Sequence, residues 1–345
     1  MSSNGALVVC QSGFEGLLVR EMEGRGLRSD GSGPGWALAI PLAAPGPSAP
    51  LEGLRQAAFP HAVLESPEPV AGESVNGLAQ AVMDLFAASL RGERVDSPWP
   101  CLFAGSQEAT GLGRRVASVE AAFHELLKKK LGRVARLATP EKPRVGPARG
   151  LFVWFTDYGK AHVARSAYMN GPCRMADDDL APSRSYLKVE ESYAIIGAEP
   201  RPGESVCDLG AAPGGWSYSA AKRGARVVAV DNGPMKGGAL DHPLIDHRLA
   251  DAFGFSPGRS ATYDWLFCDM LEDPRKVLQS IVGPWLEGGW CRRFVINLKF
   301  GRVDPIALLS ELRAPDSPFA TRATEVRIVH LYHDREEFTV TGAVP

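Results

Sequence analysis

The sequence lacks several features that would assign it quickly. No apolar run in its 345 residues approaches the roughly 20 needed to span a bilayer. Residues 1–20 show no basic start followed by an apolar block, so no signal peptide is expected. The six cysteines (Cys10, Cys101, Cys173, Cys207, Cys268 and Cys291) are scattered, with no C-x-x-C pair. That spacing excludes a cysteine zinc site and a disulfide framework, and it points to a reducing cytoplasm. There is no G-x-G-x-x-G turn, which counts against a dinucleotide-binding dehydrogenase. His330 and His333 flank Tyr332 without a carboxylate–histidine spacing that would make a metal site, so they are expected to be exposed or hydrogen-bonded on a strand. No metal is expected.

Charge is also nearly absent on average: the net is −2. It is unevenly placed. Residues 113–150 carry ten arginines and lysines against three glutamates, a local charge of +7 that leaves −9 elsewhere. A patch of that sign attracts phosphates even on a slightly acidic protein. Its lysine run, Lys128 to Lys130, also ends an expected helix at 119–131, where the helix dipole alone would favour it.

What is present centres on Val206 to Trp216, V-C-D-L-G-A-A-P-G-G-W. A strand runs into a glycine-rich turn that opens a helix. Gly210, Gly214 and Gly215 allow a tight path with no Cβ, and Pro213 suits a turn or a first helical position. A second strand, 226–230, ends in Asp231. A glycine turn followed by an acid at the next strand end is how open α/β sheets hold a nucleoside. Strands and helices alternate through the rest of this half. A helix is expected at 188–196, capped by Ser185, and strands at 247–249, 264–268 and 294–298. A closing pair is expected at 325–331 and 336–341. That alternation indicates a parallel sheet with helices on both faces. Ligands in such sheets lie beyond the carboxyl ends of the strands, which selects Gly210, Asp231, Asp269 and Lys299, with Asp251 from a loop. A lysine just outside a buried strand is expected to be partly desolvated, lowering its pKa toward a useful base.

The octapeptide D-L-G-A-A-P-G-G resembles motif I of the class I S-adenosylmethionine-dependent methyltransferases. Lys188, Asp269, Lys299 and Glu336 resemble the K-D-K-E tetrad of the FtsJ-type ribose 2′-O-methyltransferases. The phrases S-R-S-Y-L-K, V-D-N-G-P-M, C-D-M, N-L-K and H-D-R-E-E are together similar to the RlmM family, over residues 183–340. The resemblance implies an α/β chain with a Rossmann-like methyltransferase sheet at 183–345. It also implies a ferredoxin-like α+β unit at 1–58, a THUMP-like RNA-binding region at 59–165 and a linker at 166–182. It implies methyl transfer from S-adenosyl-L-methionine, leaving S-adenosyl-L-homocysteine, to a cytidine ribose 2′-hydroxyl of 23S rRNA. A cytoplasmic monomer acting before full ribosome assembly is expected.

Carried over residue by residue, Lys299 accepts the proton and Asp269 orients it near the methyl donor. Lys188 and Glu336 position the ribose. Ser185, Ala212, Pro213, Gly214, Gly215, Asp231, Asp251 and Asp269 hold the cofactor. Alternation puts Glu337 on the opposite strand face from Glu336. The family pattern places the acid directly after arginine, which favours Glu336, with the one-residue register open. Ala212 stands where the family often has cysteine, in a loop used through its backbone. Cys268 lies inside a buried strand and is expected to be core, not a nucleophile for pyrimidine C5 methylation. The place where base N-methyltransferases carry N/D-P-P-Y/F holds Cys268-Asp269-Met270 instead. Trp265, Trp285 and Trp290 are expected in the core. The remaining alternative is a non-catalytic RNA-binding protein on a degenerate methyltransferase fold.

Overall fold

The structure, a computed structural model, describes residues 5–42, 49–106, 108–258 and 262–345. Residues 41–50, with four prolines and a glycine, read from the sequence as a loop or linker, and 43–48 of them lie outside the described residues. The chain forms two compact units, Met1–Gly171 and Pro172–Pro345.

The first unit contains β1 (Ala6–Val9), α1 (Glu15–Glu23), β2 (Leu27–Gly33), β3 (Trp36–Pro41), α2 (Ala49–Gly53), β4 (Ala62–Glu65), β5 (Glu68–Ala71), α3 (Val75–Ser89), β6 (Trp99–Gly105), α4 (Leu112–Lys130), α5 (Gly132–Ala135), β7 (Ala138–Thr139), β8 (Val145–Asp157) and β9 (Lys160–Asn170). Its strands join in the order β2-β3-β1-β4-β9-β8-β6-β7, with β5 also paired to β9. β3 lies between β1 and β2, antiparallel to both, so β1–α1–β2 is a split βαβ unit. β4 bonds to β1 on one side and to β9 on the other. The expected boundary at 58/59 therefore separates strands of one continuous sheet. The expected linker at 166–182 begins inside β9, which pairs with β4 and β8 through Asn170.

Two amphipathic helices cover part of this sheet. α3 buries Leu78, Val82 and Phe86, and Ser74 caps it by accepting from Gly77 N at 3.0 Å. α4 buries Leu112, Val116, Val119, Phe123 and Leu127, spaced three and four apart along one stripe. Both pack in one core with Cys101, Leu151, Val153 and Phe155.

The second unit contains α6 (Tyr186–Ile196), β10 (Ser205–Leu209), α7 (Gly215–Ala221), β11 (Arg226–Val230), β12 (Ile245–Arg248), β13 (Tyr263–Cys268), α8 (Pro274–Val277), α9 (Gly283–Glu287), β14 (Cys291–Lys299), α10 (Pro305–Leu312), α11 (Pro318–Arg322), β15 (Thr324–Val329) and β16 (Glu337–Ala343). The strand order is β12-β11-β10-β13-β14-β16-β15. The first five strands are parallel. β16 returns antiparallel between β14 and β15. Val206, Val227, Phe267 and Val295 fill the buried centre, as near-continuous apolar runs do in a sheet covered on both faces. This is the Rossmann-like sheet that the alternating pattern implied, closed by a reversed hairpin. Strand order switches between β10 and β13, the place where such sheets bind ligands. Because β16 runs backwards, its first residue meets the last residue of β14: Glu337 sits opposite Lys299.

Candidate active site

At the end of β10, Gly210 adopts φ +76°, and a Cβ there would stand 2.6 Å from Met270 Cγ. Gly214 adopts φ +102° and would meet Ala239 Cβ at 2.4 Å. Both positions thus require glycine for backbone conformation and for close packing. Asp231 ties the loop to β11. Its Oδ2 accepts from Ala212 N at 3.0 Å and its Oδ1 from Gly233 N at 2.7 Å. Pro213 precedes the helix, which starts at Gly215.

Ser185 does not cap α6 as the sequence suggests. Its hydroxyl lies 2.7 Å from that of Ser183, and its carbonyl accepts from Trp216 Nε1 at 2.8 Å. These contacts hold the entry to α6 against the glycine loop. Asp251 caps the exposed turn after β12, accepting from Phe253 N at 3.0 Å.

The four expected tetrad positions do not all meet. Lys188, Asp269 and Lys299 do, and the fourth member is Glu337, not Glu336. Lys299 Nζ donates to Asp269 Oδ1 at 2.5 Å and to Glu337 Oε2. Lys188 Nζ lies 2.5 Å from Glu337 Oε1 and 3.7 Å from Asp269 Oδ2. Each lysine therefore bridges both carboxylates in a closed ring of alternating charge. Glu337 is buried, while Glu336 points away to the exposed rim beside Gly301. The cause is the register of β16: cross-strand partners share a face, so pairing Glu337 with Lys299 turns Glu336 outward.

Burial alone would push the Lys299 ammonium down, but Asp269 and Glu337 outweigh it and hold its pKa above the ordinary lysine value. The expectation of a depressed lysine is overturned. Desolvation is present, as expected, but two carboxylates accompany it. Burial likewise opposes ionisation of Glu337, and the ammonium groups of Lys188 and Lys299 overcome it, holding that carboxyl below its usual range.

Other groups nearby escaped sequence reasoning. Asp208, on β10, is wholly buried and accepts from Ser217 Oγ at 2.6 Å. Burial, reinforced by Asp269 and Asp231, raises its pKa to about 7. An acid between Cys207 and Leu209 in a buried strand was the available signal.

The bland expectations divide. Cys268 is core, and burial pushes its thiol up, so it is no nucleophile. Trp265 and Trp285 are core; Trp290 is half-buried, edge-on to Trp285 at 5.9 Å. His330 is fully buried beyond the end of β15, not on a strand; its Nε2 donates to the Arg335 carbonyl at 2.7 Å. Burial lowers its pKa to about 4. His333 Nε2 accepts from Met175 N at 2.9 Å.

A family model, "FtsJ-like methyltransferase", matches residues 181–280, which include Lys188, the glycine loop and Asp269. Curated relatives named "Ribosomal RNA large subunit methyltransferase M" extend the likeness. The one from Marinomonas sp. (strain MWYL1) is 39% identical over 52% of this chain and 53% of its own length. The one from Pectobacterium atrosepticum is 43% identical over 54% of this chain and 52% of its own. These two matches thus span about half the length of each relative. The match to the Laribacter hongkongensis protein is longer, 36% identical over 68% of this chain and 69% of that one. Identity at that level across two thirds of both sequences places this chain in the family of ribosomal RNA large subunit methyltransferase M.

Proposed function

We propose that the chain transfers a methyl group from S-adenosyl-L-methionine to the ribose 2′-hydroxyl of a cytidine in 23S rRNA, with Lys299 as proton acceptor in a Lys188–Asp269–Lys299–Glu337 tetrad. The observation that carries the proposal is the closed ring of two lysines and two carboxylates at the carboxyl ends of β13 and β14. The relatives' names, which specify large-subunit ribosomal RNA, support the substrate class.

The residues fit the cofactor. Asp231 and Asp269 lie just past the ends of β11 and β13, on either side of β10 and its glycine loop, carboxylates suited to a cation and unsuited to a phosphate. Each Asp231 oxygen accepts one main-chain N–H and keeps acceptor capacity for ribose hydroxyls. Ser185, Ala212, Pro213, Gly214, Gly215, Asp231, Asp251 and Asp269 would hold the cofactor. When bound, it supplies an electrophilic methyl group on a sulfonium.

The chain's own residues manage the proton. The ribose oxygen would form its bond to the methyl carbon as the carbon–sulfur bond breaks, its electron pair going to sulfur to leave a neutral thioether, and the hydroxyl proton would pass to Lys299 Nζ. Lys299 is held charged by Asp269 and Glu337, so it must release one proton before it can take another. Lys188 shares the same two carboxylates, and a neighbouring cation favours the neutral amine. Methyl transfer from labelled S-adenosylmethionine to protein-free 23S rRNA, followed by digestion to nucleosides, tests the reaction. Label is expected in 2′-O-methylcytidine; label in a base-methylated nucleoside would overturn the ribose assignment.

The first unit, with its expected ferredoxin-like and THUMP-like segments, grips structured RNA through shape and phosphate contacts. Its basic stretch is partly neutralised by acids from outside 113–150. Lys130 pairs with Asp84 at 3.6 Å, Arg133 with Asp96 at 3.7 Å and Arg149 with Glu93 at 2.7 Å. Exposed pairs of this kind are weak and readily exchanged for phosphates. Changing Lys128, Lys129 and Lys130 together to alanine is expected to weaken RNA binding and to flatten the dependence of log Kd on log salt by about 2. Filter binding across a salt series measures both; an unchanged slope would remove this face from the RNA path.

A further inference from the structure

Helix α6 carries two acids, Glu190 and Glu191, and the second lies three residues beyond Lys188 and so on a neighbouring part of the same face. Its side chain is fully buried. Oε1 accepts from Tyr332 N at 2.8 Å and from Cys173 N at 2.9 Å, and Oε2 accepts from His333 N at 3.1 Å. Three main-chain donors on one buried carboxyl group make a firm anchor, since freeing any of them would leave a buried N–H unsatisfied.

Tyr332 and His333 belong to the loop 330–336 that joins β15 to β16 and delivers Glu337. The other side of that loop is held by Asp334, itself buried. Its Oδ2 accepts from Leu331 N at 2.9 Å and from Thr339 Oγ1 at 3.0 Å. Thr339 lies two residues past Glu337, on the same face of β16. Glu337 is therefore set by a loop clamped between α6 and its own strand. The partners are distant in sequence, since Glu191 and Tyr332 are 141 residues apart. One helix thus makes two links to one hairpin: Lys188 to Glu337, and Glu191 to the loop. Two links resist both sliding and rotation, where one resists neither well.

We propose that Glu191 is a positioning residue for the tetrad, locking the 330–336 loop to α6 so that Lys188 and Glu337 meet. The proposal rests on the tetrad being catalytic. A shift of about 1 Å in a catalytic group can cost about 100-fold in rate. In Glu191→Gln an amide nitrogen replaces one acceptor oxygen and faces a main-chain N–H, so the loop must move.

The test is a double-mutant cycle of Glu191→Gln and Lys188→Met, read as kcat, calorimetric affinity for S-adenosylmethionine and unfolding midpoint. Glu191→Gln is expected to lower kcat about 100-fold, with cofactor affinity unchanged. In the Lys188→Met background the same change is expected to have little further effect, because both act through one geometry. Glu191→Asp, which keeps both acceptor oxygens, is expected to recover part of the rate, and it replaces Glu191→Gln in the cycle should that variant fail to fold. Equal, independent losses in both backgrounds would overturn the positioning role, as would a full rate in Glu191→Gln beside a crippled Lys188→Met. A wild-type rate in Lys188→Met would instead overturn the tetrad reading itself.

Discussion

Lys299→Ala is expected to reduce kcat for methyl transfer by about 10²–10⁴-fold, the usual contribution of a positioned general base, while S-adenosylmethionine still binds. The residue stands at the end of β14 with its ammonium between Asp269 and Glu337, and no other group among the described residues bridges those two carboxylates except Lys188. The pH dependence identifies its role. The two acids hold Lys299 above its ordinary value, so the neutral amine is a small fraction at neutral pH. That fraction grows tenfold per pH unit, and the wild-type kcat should climb with it up to the lysine range, about pH 10.4 and beyond. In Lys299→Ala the climb should vanish. A flat wild-type profile would show that Lys299 steers the hydroxyl as a cation and takes no proton. The fold withstands this experiment as far as Lys299 is concerned. A raised folded-state pKa means that the stability from its ion pairs is intact below the unfolded value of about 10.4 and is lost only as pH rises through the raised one.

The second large effect separates two adjacent glutamates. Glu337→Gln removes the partner of both lysines and leaves Asp269 to balance two ammonium groups. Breaking a buried ion pair from one side costs about 3–5 kcal/mol, and the loss of geometry should take kcat down with it. Glu336→Gln changes an exposed side chain, and exposed substitutions of this kind stay within about 0.5 kcal/mol. Chemical denaturation and single-turnover rates for the pair decide the matter. A crippled Glu336→Gln beside a healthy Glu337→Gln would mean that β16 pairs one residue out of the register seen here. Acid titration gives a further check. The Glu337 carboxyl is held below its usual range, so its pairs support the fold above about pH 4.3 and are lost as pH falls through the lower folded value. That loss should be missing in Glu337→Gln.

Much of the second unit was legible because its signals are local. Strand after strand is an apolar run with an acid or lysine just past its end, and Asp231, Asp269 and Lys299 stand where those runs stop. The glycine loop needs particular backbone conformations within six residues, and only glycine meets them beside Met270 and Ala239. In the first unit β2, β5, β6 and β7 carry weak patterns. β2 holds Ser, Asp and Gly, and β6 contains a proline and a glycine. Neither has the alternation that marks a strand, and both owe their conformation to their neighbours in the sheet.

The sequence by itself determined the chemistry available: a glycine turn, carboxylates at strand ends, two lysines and a late acid. It also determined the alternating pattern of a Rossmann-like sheet, since hydrophobic period and turn residues act over a few positions. Tertiary structure alone decided how those groups are used. Which of two glutamates enters the ring depends on the register of β16 against β14. The charge on Lys299 depends on carboxylates 30 and 38 residues away. The effective charge of the basic stretch depends on acids brought in from α3 and the residues after it. Each is a through-space effect of pairing and electrostatics between segments distant in the chain, and a local pattern has no means of encoding it.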